Sequence, residues 1–274
     1  MNKNRFNNVI YNHFRKYGRK MPWRYDINPY HIFVSEIMLQ QTQVDRVRPK
    51  FEVFVETFPT LKSLAIATLQ DVYKLWIGLG YNRRAIYLRD AAKILVEKYD
   101  SIIPQNPSIL LTLPGIGKAT AGAICVYAYN LPVVFIETNI RATILFTFFQ
   151  DKTNVPDAEI SNKITKLIDK KNPREWYYAV VDYGEMLKKK LKFPNVQSKT
   201  YSKQSKFEGS DRQIRGAIMR IIHLIETPLN KGELYHQLLS LYPNTNSYQI
   251  DRAITSLLTD RLLLIRNNHL FLSE

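Results

Sequence analysis

Apolar residues recur at three- and four-residue spacing through most of the chain, the period of helices packed on one face. Arg5 to Tyr17 reads as a short amphipathic helix, followed by a basic loop and Pro22-Trp23-Arg24. Ile32 to Phe58 reads as helical through Ile32, Phe33, Ile37, Met38, Val44, Val47, Phe51, Phe54 and Val55, until Pro59 interrupts it. Leu64 to Trp76 is another helix, stopped by Gly78-Leu79-Gly80, and Asn82 to Tyr99 a further one. Phe148 to Asp169 is polar and helical, and Trp176 to Leu187 reads as a closing helix, with Asp182 on it a structural acid that caps a neighbour. The tail differs. Helices Ile214 to Ile225, Leu234 to Leu241 (opened by Asn230-Lys-Gly-Glu) and Tyr248 to Leu258 precede Leu262 to Arg266, Asn267-Asn268 and His269 to Leu272, a hairpin signal with a two-residue turn. Three helices and a β-hairpin predict a winged helix, with Tyr248 to Leu258 the candidate recognition helix.

The chain is organised around Leu113 to Arg141, LPGIGKATAGAICVYAYNLPVVFIETNIR. Pro114 forbids continuing the short helix before it, and Gly115 and Gly117 allow torsions and close approaches that a Cβ would block. From Ala119 a helix that is apolar almost all round must be buried. Its free N–H groups, with Lys118 beside them, form a ready site for a phosphate oxygen. The chain returns through Pro132 and Val133 to Ile136, delivers Glu137, and meets Asn139, a good cap, before a helix from Ile140.

Composition narrows the class. The 274 residues leave room for a medium domain and a small one, and 45% hydrophobic content supports a core. A net charge of +15 favours a polyanionic partner. The apolar runs are too short to span a membrane, and Met1 to Lys20 is polar and basic, so a soluble, intracellular protein is expected, nucleoid-associated and without membrane partners. Cys125 is the only cysteine, and its apolar helix makes it a buried hydrophobe. One thiol excludes an intrachain disulfide, cysteine-ligated zinc and a four-cysteine iron–sulfur cluster. His223, His236 and His269 show no metal spacing. Lys188, Lys189, Lys190, Lys192, Lys199, Lys203 and Lys206 form a stretch without an acid, with Tyr201 and Phe207 as aromatic faces, suited to phosphate contact.

Hairpin, apolar helix, return loop and acid in this order resemble the helix-hairpin-helix DNA glycosylase superfamily. Pro22-Trp23-Arg24, Val34-Ser-Glu-Ile-Met-Leu-Gln-Gln-Thr-Gln-Val44 and Leu75-Trp-Ile-Gly-Leu-Gly-Tyr81 narrow the resemblance to adenine DNA glycosylases of the MutY type, over Phe6 to Leu187. The resemblance implies an all-α, two-lobed fold, here followed by the small winged-helix domain, with boundaries at 1–187, 188–210 (a basic linker) and 211–274. It implies a monomer acting on double-stranded DNA that carries a mispaired or oxidised base, excising adenine opposite 8-oxoguanine or guanine. Glu36 would protonate the base and Glu137 steady the cationic sugar, the two converging in a cleft between lobes. Asn139 would help hold the sugar and water. Arg24 would line the base pocket or contact phosphate. Gln41 would enter the duplex with Leu39 and Gln40 beside it, and Tyr81 would contact DNA. Leu113, Pro114, Gly115, Ile116, Gly117, Lys118 and Thr120 would grip the backbone. No cofactor or catalytic metal is implied, and the hairpin carbonyls are candidates for a monovalent cation.

Three positions depart from the family. Glu137 stands for its Asp, Asn82 for its usual second Tyr, and Lys188 for its first cluster cysteine. Ala119 occupies the slot of the lyase lysine, so a monofunctional glycosylase is expected. Two other readings fit the same residues: a thymine or uracil mismatch glycosylase, and a non-catalytic lesion or mismatch binder. The tail is equally suited to DNA or to a protein partner.

Overall fold

The computed structural model describes residues 1–191, 195–202, 206–224 and 229–273. Lys192 and Lys203 of the basic stretch and Ile225, the expected end of a tail helix, lie outside the described residues. The chain folds into two compact units, 1–37 with 103–203 and 38–102 with 204–274.

The first unit holds α1 (Lys3–Tyr17), the single turn α2 (Pro22–Tyr25), most of α3 (Pro29–Met38), α8 (Pro107–Leu110), α9 (Lys118–Tyr129), α10 (Thr138–Phe148), α11 (Asp157–Leu167), α12 (Pro173–Lys190) and a 3-10 turn at Asn195–Gln197. As its composition requires, α9 is buried from Ala121 to Ala128. Around it Phe6, Ile10, Ile32, Ile140, Ile144, Leu145, Ile160, Ile164, Trp176, Tyr177 and Val180 form a continuous core.

The second unit holds α4 (Val44–Thr57), α5 (Leu61–Ile66), α6 (Leu69–Trp76) and α7 (Arg83–Lys98) together with the whole described tail. The tail runs α13 (Asp211–Leu224), β1 (Leu229–Asn230), α14 (Lys231–Leu241), α15 (Ser247–Thr259), β2 (Leu263–Arg266) and β3 (His269–Leu272). Its sheet is antiparallel in the order β1-β3-β2, the winged-helix arrangement. Asn267 and Asn268 both take positive φ, 50° and 61°, as a two-residue hairpin turn demands. Asn230 and Glu233 close a reciprocal capping box on α14.

The structure subdivides two of the expected helices. Ile32 to Phe58 breaks at Leu39–Gln43, where Gln41 turns to φ 55°; apolar spacing carries on across the gap and hides it. Leu64 to Trp76 is the end of α5 plus α6, with Thr68 capping the second through Asp71 N. Only Asp157–Leu167 of the polar 148–169 stretch is helical beyond the end of α10. The two-residue β1 is too short to leave a pattern.

Candidate active site

Both glutamates belong to the first unit. Two glycines explain how the chain delivers Glu137. The segment 133–136 lies against α9 at Gly122, where an added Cβ would meet Phe135 Cβ at 2.5 Å. Phe135 stacks on Tyr177 (4.4 Å between centroids), and the Tyr177 hydroxyl donates to Val133 O at 3.1 Å while accepting from Phe135 N at 3.3 Å. Two turns later α12 passes the backbone of Asn139 so closely that a Cβ on Gly184 would stand 2.0 Å from the carbonyl oxygen. The start of α10 is thereby pinned between α9 and α12.

Glu137 is itself the N-cap of α10. Its Oε1 accepts from Asn139 N at 2.8 Å and Ile140 N at 2.7 Å. Asn139 is therefore not the cap, and the helix begins at Thr138 rather than Ile140. A carboxylate here accepts the orphan N–H groups first, leaving the Asn139 side chain for other work. That side chain donates from Nδ2 to Glu137 Oε2 at 3.3 Å and accepts on Oδ1 from Lys188 Nζ at 3.1 Å.

Glu36 sits on the last turn of α3 between Ser35 and Ile37, both buried, and keeps partial solvent access like Glu137. Burial, with the charge of Glu137 adding to it and that of Arg24 opposing it, pushes the Glu36 carboxyl from 4.5 to about 8. Glu137 is also raised by burial, but the Asn139 and Ile140 amides and the charges of Lys188 and Arg19 pull the other way. The two environments differ: both carboxyls are raised by burial, but hydrogen bonds from two amides and two nearby cations oppose the rise at Glu137, while at Glu36 only the charge of Arg24 does.

Arg24 is buried to 6% exposure and makes a two-pronged ion pair with Asp182, Nη1 to Oδ2 and Nη2 to Oδ1, both 2.8 Å. Its other face lies on the Tyr178 ring, 4.4 Å away, and Tyr178 stacks on Tyr127 at 4.7 Å and 10°. This places Arg24 within electrostatic reach of Glu36, with both terminal nitrogens held by Asp182. Asp182 caps no helix. It clamps Arg24 and Arg19, accepting from Arg19 N at 2.9 Å and Nε at 2.6 Å. Burial alone would raise its pKa; the arginines outweigh it and hold the carboxyl below 3.8. The Tyr178 hydroxyl is buried without a hydrogen-bond partner.

In the hairpin Leu113 and Ile116 are buried anchors, while Gly115, at φ 73°, Gly117 and Lys118 are exposed and Pro114 and Thr120 partly so. The helix starts at Lys118, not Ala119, with Gly117 as N-cap and no side chain on its first amides, which suits an anion. Gln41, Leu39, Gln40 and Tyr81 belong to the second unit. Gln41 is exposed, Leu39 and Gln40 partly so, and Tyr81, at φ 49°, is 37% exposed.

The sequence does not reveal what two further side chains do here. Lys188 reads as a cation in place of a cluster cysteine and as part of the basic stretch, not as a partner of Asn139. Arg84, 6% exposed, donates to Met38 O (2.7 Å), Gln40 O (2.6 Å), Thr42 Oγ1 (2.9 Å) and Gly80 O (2.8 Å), with its guanidinium near the rings of Trp76 and Tyr81. A buried arginine satisfied by carbonyls has no sequence signature beyond a cation on the apolar side of a helix.

The basic stretch is partly engaged: Lys189 pairs with Glu185 at 2.6 Å, and Lys190 lies over the Tyr17 ring. No group of three or more His, Cys, Asp or Glu among the described residues could hold a metal ion. The family's iron–sulfur cluster does not fit this chain, which has one cysteine, buried on α9 with its thiol raised to about 11 by burial. No helix among the described residues is long and apolar enough to cross a membrane.

Known proteins resemble this chain in sequence and in fold. The profile of the HhH-GPD superfamily base excision DNA repair proteins matches residues 34–184. The adenine DNA glycosylase of Mycolicibacterium smegmatis is 30% identical over 274 residues, covering 92% of this chain and 89% of that protein. The adenine DNA glycosylase of Buchnera aphidicola subsp. Baizongia pistaciae is 35% identical over 187 residues, 66% of this chain but only 52% of that protein, about half its length. Among solved structures, a thermostable thymine-DNA glycosylase superposes with a TM-score of 0.59 at 20% identity, over 66% of this chain and 85% of its own. A non-covalent endonuclease III–DNA complex gives 0.56 at 17%, over 67% and 86%; at these identities the likeness is one of fold. Profile, relatives and fold converge, and the chain belongs to the HhH-GPD superfamily of base excision DNA repair proteins.

Proposed function

We propose that this protein is a DNA N-glycosylase that removes mispaired adenine, opposite 8-oxoguanine or guanine, and leaves an abasic site without cutting the strand. One observation carries the reading: a carboxyl held neutral, Glu36, stands within electrostatic reach of a carboxylate held at a helix N-terminus, Glu137. Cleaving the glycosidic bond places positive charge on the sugar and negative charge on the departing base. Glu36 donates its proton to a ring nitrogen, so that the base departs as neutral adenine rather than as its anion, a poor leaving group. Glu137 faces the sugar cation, and its ties to two backbone amides fix it before charge develops. Water then completes the displacement, with Asn139 beside it. The name shared by the relatives supports adenine as the base.

Lys118 and the open amides of α9 would take a phosphate, Gln41 with Leu39 and Gln40 would fill the gap left by the extruded base, and Tyr81 would lie against the duplex. No cofactor enters the reaction, and the hairpin carbonyls are the place for a monovalent cation. In this reading residues 1–187 form the glycosylase, 188–210 a basic connector and 211–274 a module for DNA or protein in a monomeric, nucleoid-associated enzyme.

A single-turnover assay tests it on duplexes with A opposite 8-oxoguanine, A opposite G, T opposite G and U opposite G, each with and without hot alkali. Release of adenine with strand breaks only after alkali is the expected result. Release from G·T or G·U duplexes alone overturns the adenine assignment, and binding without any release overturns catalysis.

A further inference from the structure

The tail does not carry its share of the positive charge. Residues 204–274 hold eight Lys or Arg against seven Asp or Glu, a net of +1 in a chain of +15. The candidate recognition helix α15 offers one arginine, Arg252, which pairs with Asp211 at 2.9 Å and covers the Tyr248 ring. A module built to hold phosphates would look otherwise. What the tail does hold is the segment around Tyr81.

Three contacts do this. Arg212, in the first turn of α13, donates from Nη1 to the Tyr81 hydroxyl at 3.1 Å. Asp260, 8% exposed after α15, accepts from Arg215 at 2.6 Å and also pairs with Arg83, two residues beyond Tyr81. His223 meets the Tyr73 ring edge-on at 6.3 Å. The held segment is conformationally unusual: Gly78, Gly80 and Tyr81 take φ of 93°, 73° and 49°. A tyrosine with positive φ persists only where its surroundings over-determine it. Arg84 grips this turn from within, at Gly80 O and Tyr81 O (3.3 Å), and Arg212 fixes the ring from the tail side.

We infer that the winged-helix module is a specificity element, in which Arg212 positions Tyr81 and so sets how the enzyme discriminates the base opposite the adenine. The inference rests on the glycosylase reading above. Arg212 acts through Tyr81 rather than on the reacting atoms, so discrimination should move more than the best rate. Its side chain also leaves a cation beside the ring, where the opposite strand's bases or phosphates would pass.

The test is the single-turnover rate of adenine release opposite 8-oxoguanine, G and C in the full-length protein. Arg212→Ala and Tyr81→Phe each should lower the ratio of best to worst pair about fivefold, the size one exposed charge-assisted hydrogen bond supports. The double variant should fall no further, because both remove one interaction, and Arg212→Lys should restore part of the ratio. Unchanged ratios in Arg212→Ala, or additive losses in the double variant, overturn the inference. Tyr81→Phe is small enough to keep the result interpretable if Arg212→Ala disturbs α13. Wild-type protein that releases no adenine from any pair instead refutes the glycosylase reading.

Discussion

Lys188 and Asn139 are joined by a 3.1 Å hydrogen bond that fixes the amide so that its nitrogen, not its oxygen, faces Glu137. At the position where the resemblance puts a cluster cysteine, this chain has a cation that holds the Asn139 amide and lies within electrostatic reach of Glu137. Arg19, Glu36 and Tyr127 are the other titratable groups coupled to Glu137. Lys188→Ala should slow adenine release by about 3- to 10-fold, a modest figure because the lysine is solvent-exposed. It should also move the acid limb of the pH–rate profile upward, since a cation favouring the Glu137 anion is lost. Lys188→Arg should recover most of the rate. An unmoved acid limb would separate Lys188 from Glu137.

Glu36 must carry a proton to act. With its carboxyl at about 8, release should be level through neutral pH and decline by about tenfold per pH unit above that value. Glu36→Gln should cut the single-turnover rate by roughly 10²–10⁴ and leave affinity for A-mispaired duplex nearly intact. A variant that releases adenine at the wild-type rate would remove Glu36 from the mechanism.

The same shift predicts a stability effect. Between 4.5 and about 8 the folded protein keeps a proton on Glu36 that the unfolded chain has released, so stability falls as pH rises through that window and the loss is complete above it. Glu36→Gln should raise Tm at pH 9 by about 3 °C or more and change it little at pH 5, measured by calorimetry. Asp182 works in the opposite sense: its lowered carboxyl stabilises above its ordinary value, and that contribution is lost as pH falls through the folded value.

Features set by neighbouring torsions were legible in the sequence. Pro114 and Gly115 announce the hairpin, Asn267-Asn268 the wing, and the all-round apolar stretch a buried α9. Glu36 and Glu137 were legible only inside their motifs. Features that need distant segments to converge were not. Asn139 is the better N-cap by residue type, yet Glu137, two residues earlier, caps α10. The role of Asp182 is not legible from its own helix, since its two arginines lie more than 150 positions away. The pairing of the tail with residues 38–102 rests on single contacts such as Arg83–Asp260, which leave no periodic trace.

Gly184→Ala should damage both stability and rate. The new Cβ would stand 2.0 Å from Asn139 O, 2.7 Å from its carbonyl carbon and 2.7 Å from Thr143 Oγ1. The first two are backbone atoms at the start of α10, so α10 and α12 must part. Overpacking of this kind costs about 2–3 kcal/mol. The displaced residue carries the amide that holds Glu137, and misplacement on the ångström scale lowers rates by about 10²-fold. Urea unfolding and single-turnover release measure the two effects. Wild-type behaviour in both would show that α12 and α10 are not packed as described.

Arg84 offers the sharpest contrast between charge and shape. Its guanidinium spans acceptors on two turns, Met38 O, Gln40 O and Thr42 Oγ1 on one and Leu79 O and Gly80 O on the other. It has no carboxylate among these partners, and burial lowers its pKa to about 10. Five donors in a rigid plane can serve such an array; the three of an ammonium on a flexible stem cannot. Arg84→Lys keeps the charge but strands several buried carbonyls, so it should destabilise the fold by about 3 kcal/mol, close to the cost of Arg84→Ala. Since Gln41 and Tyr81 ride on the two turns, both variants should also bind mismatched duplex more weakly, and amides 39–42 and 79–81 should exchange faster with deuterium than in the wild type. If Arg84→Lys instead matches the wild type in exchange and unfolding, positive charge alone holds these turns and the planar array of donors is not required.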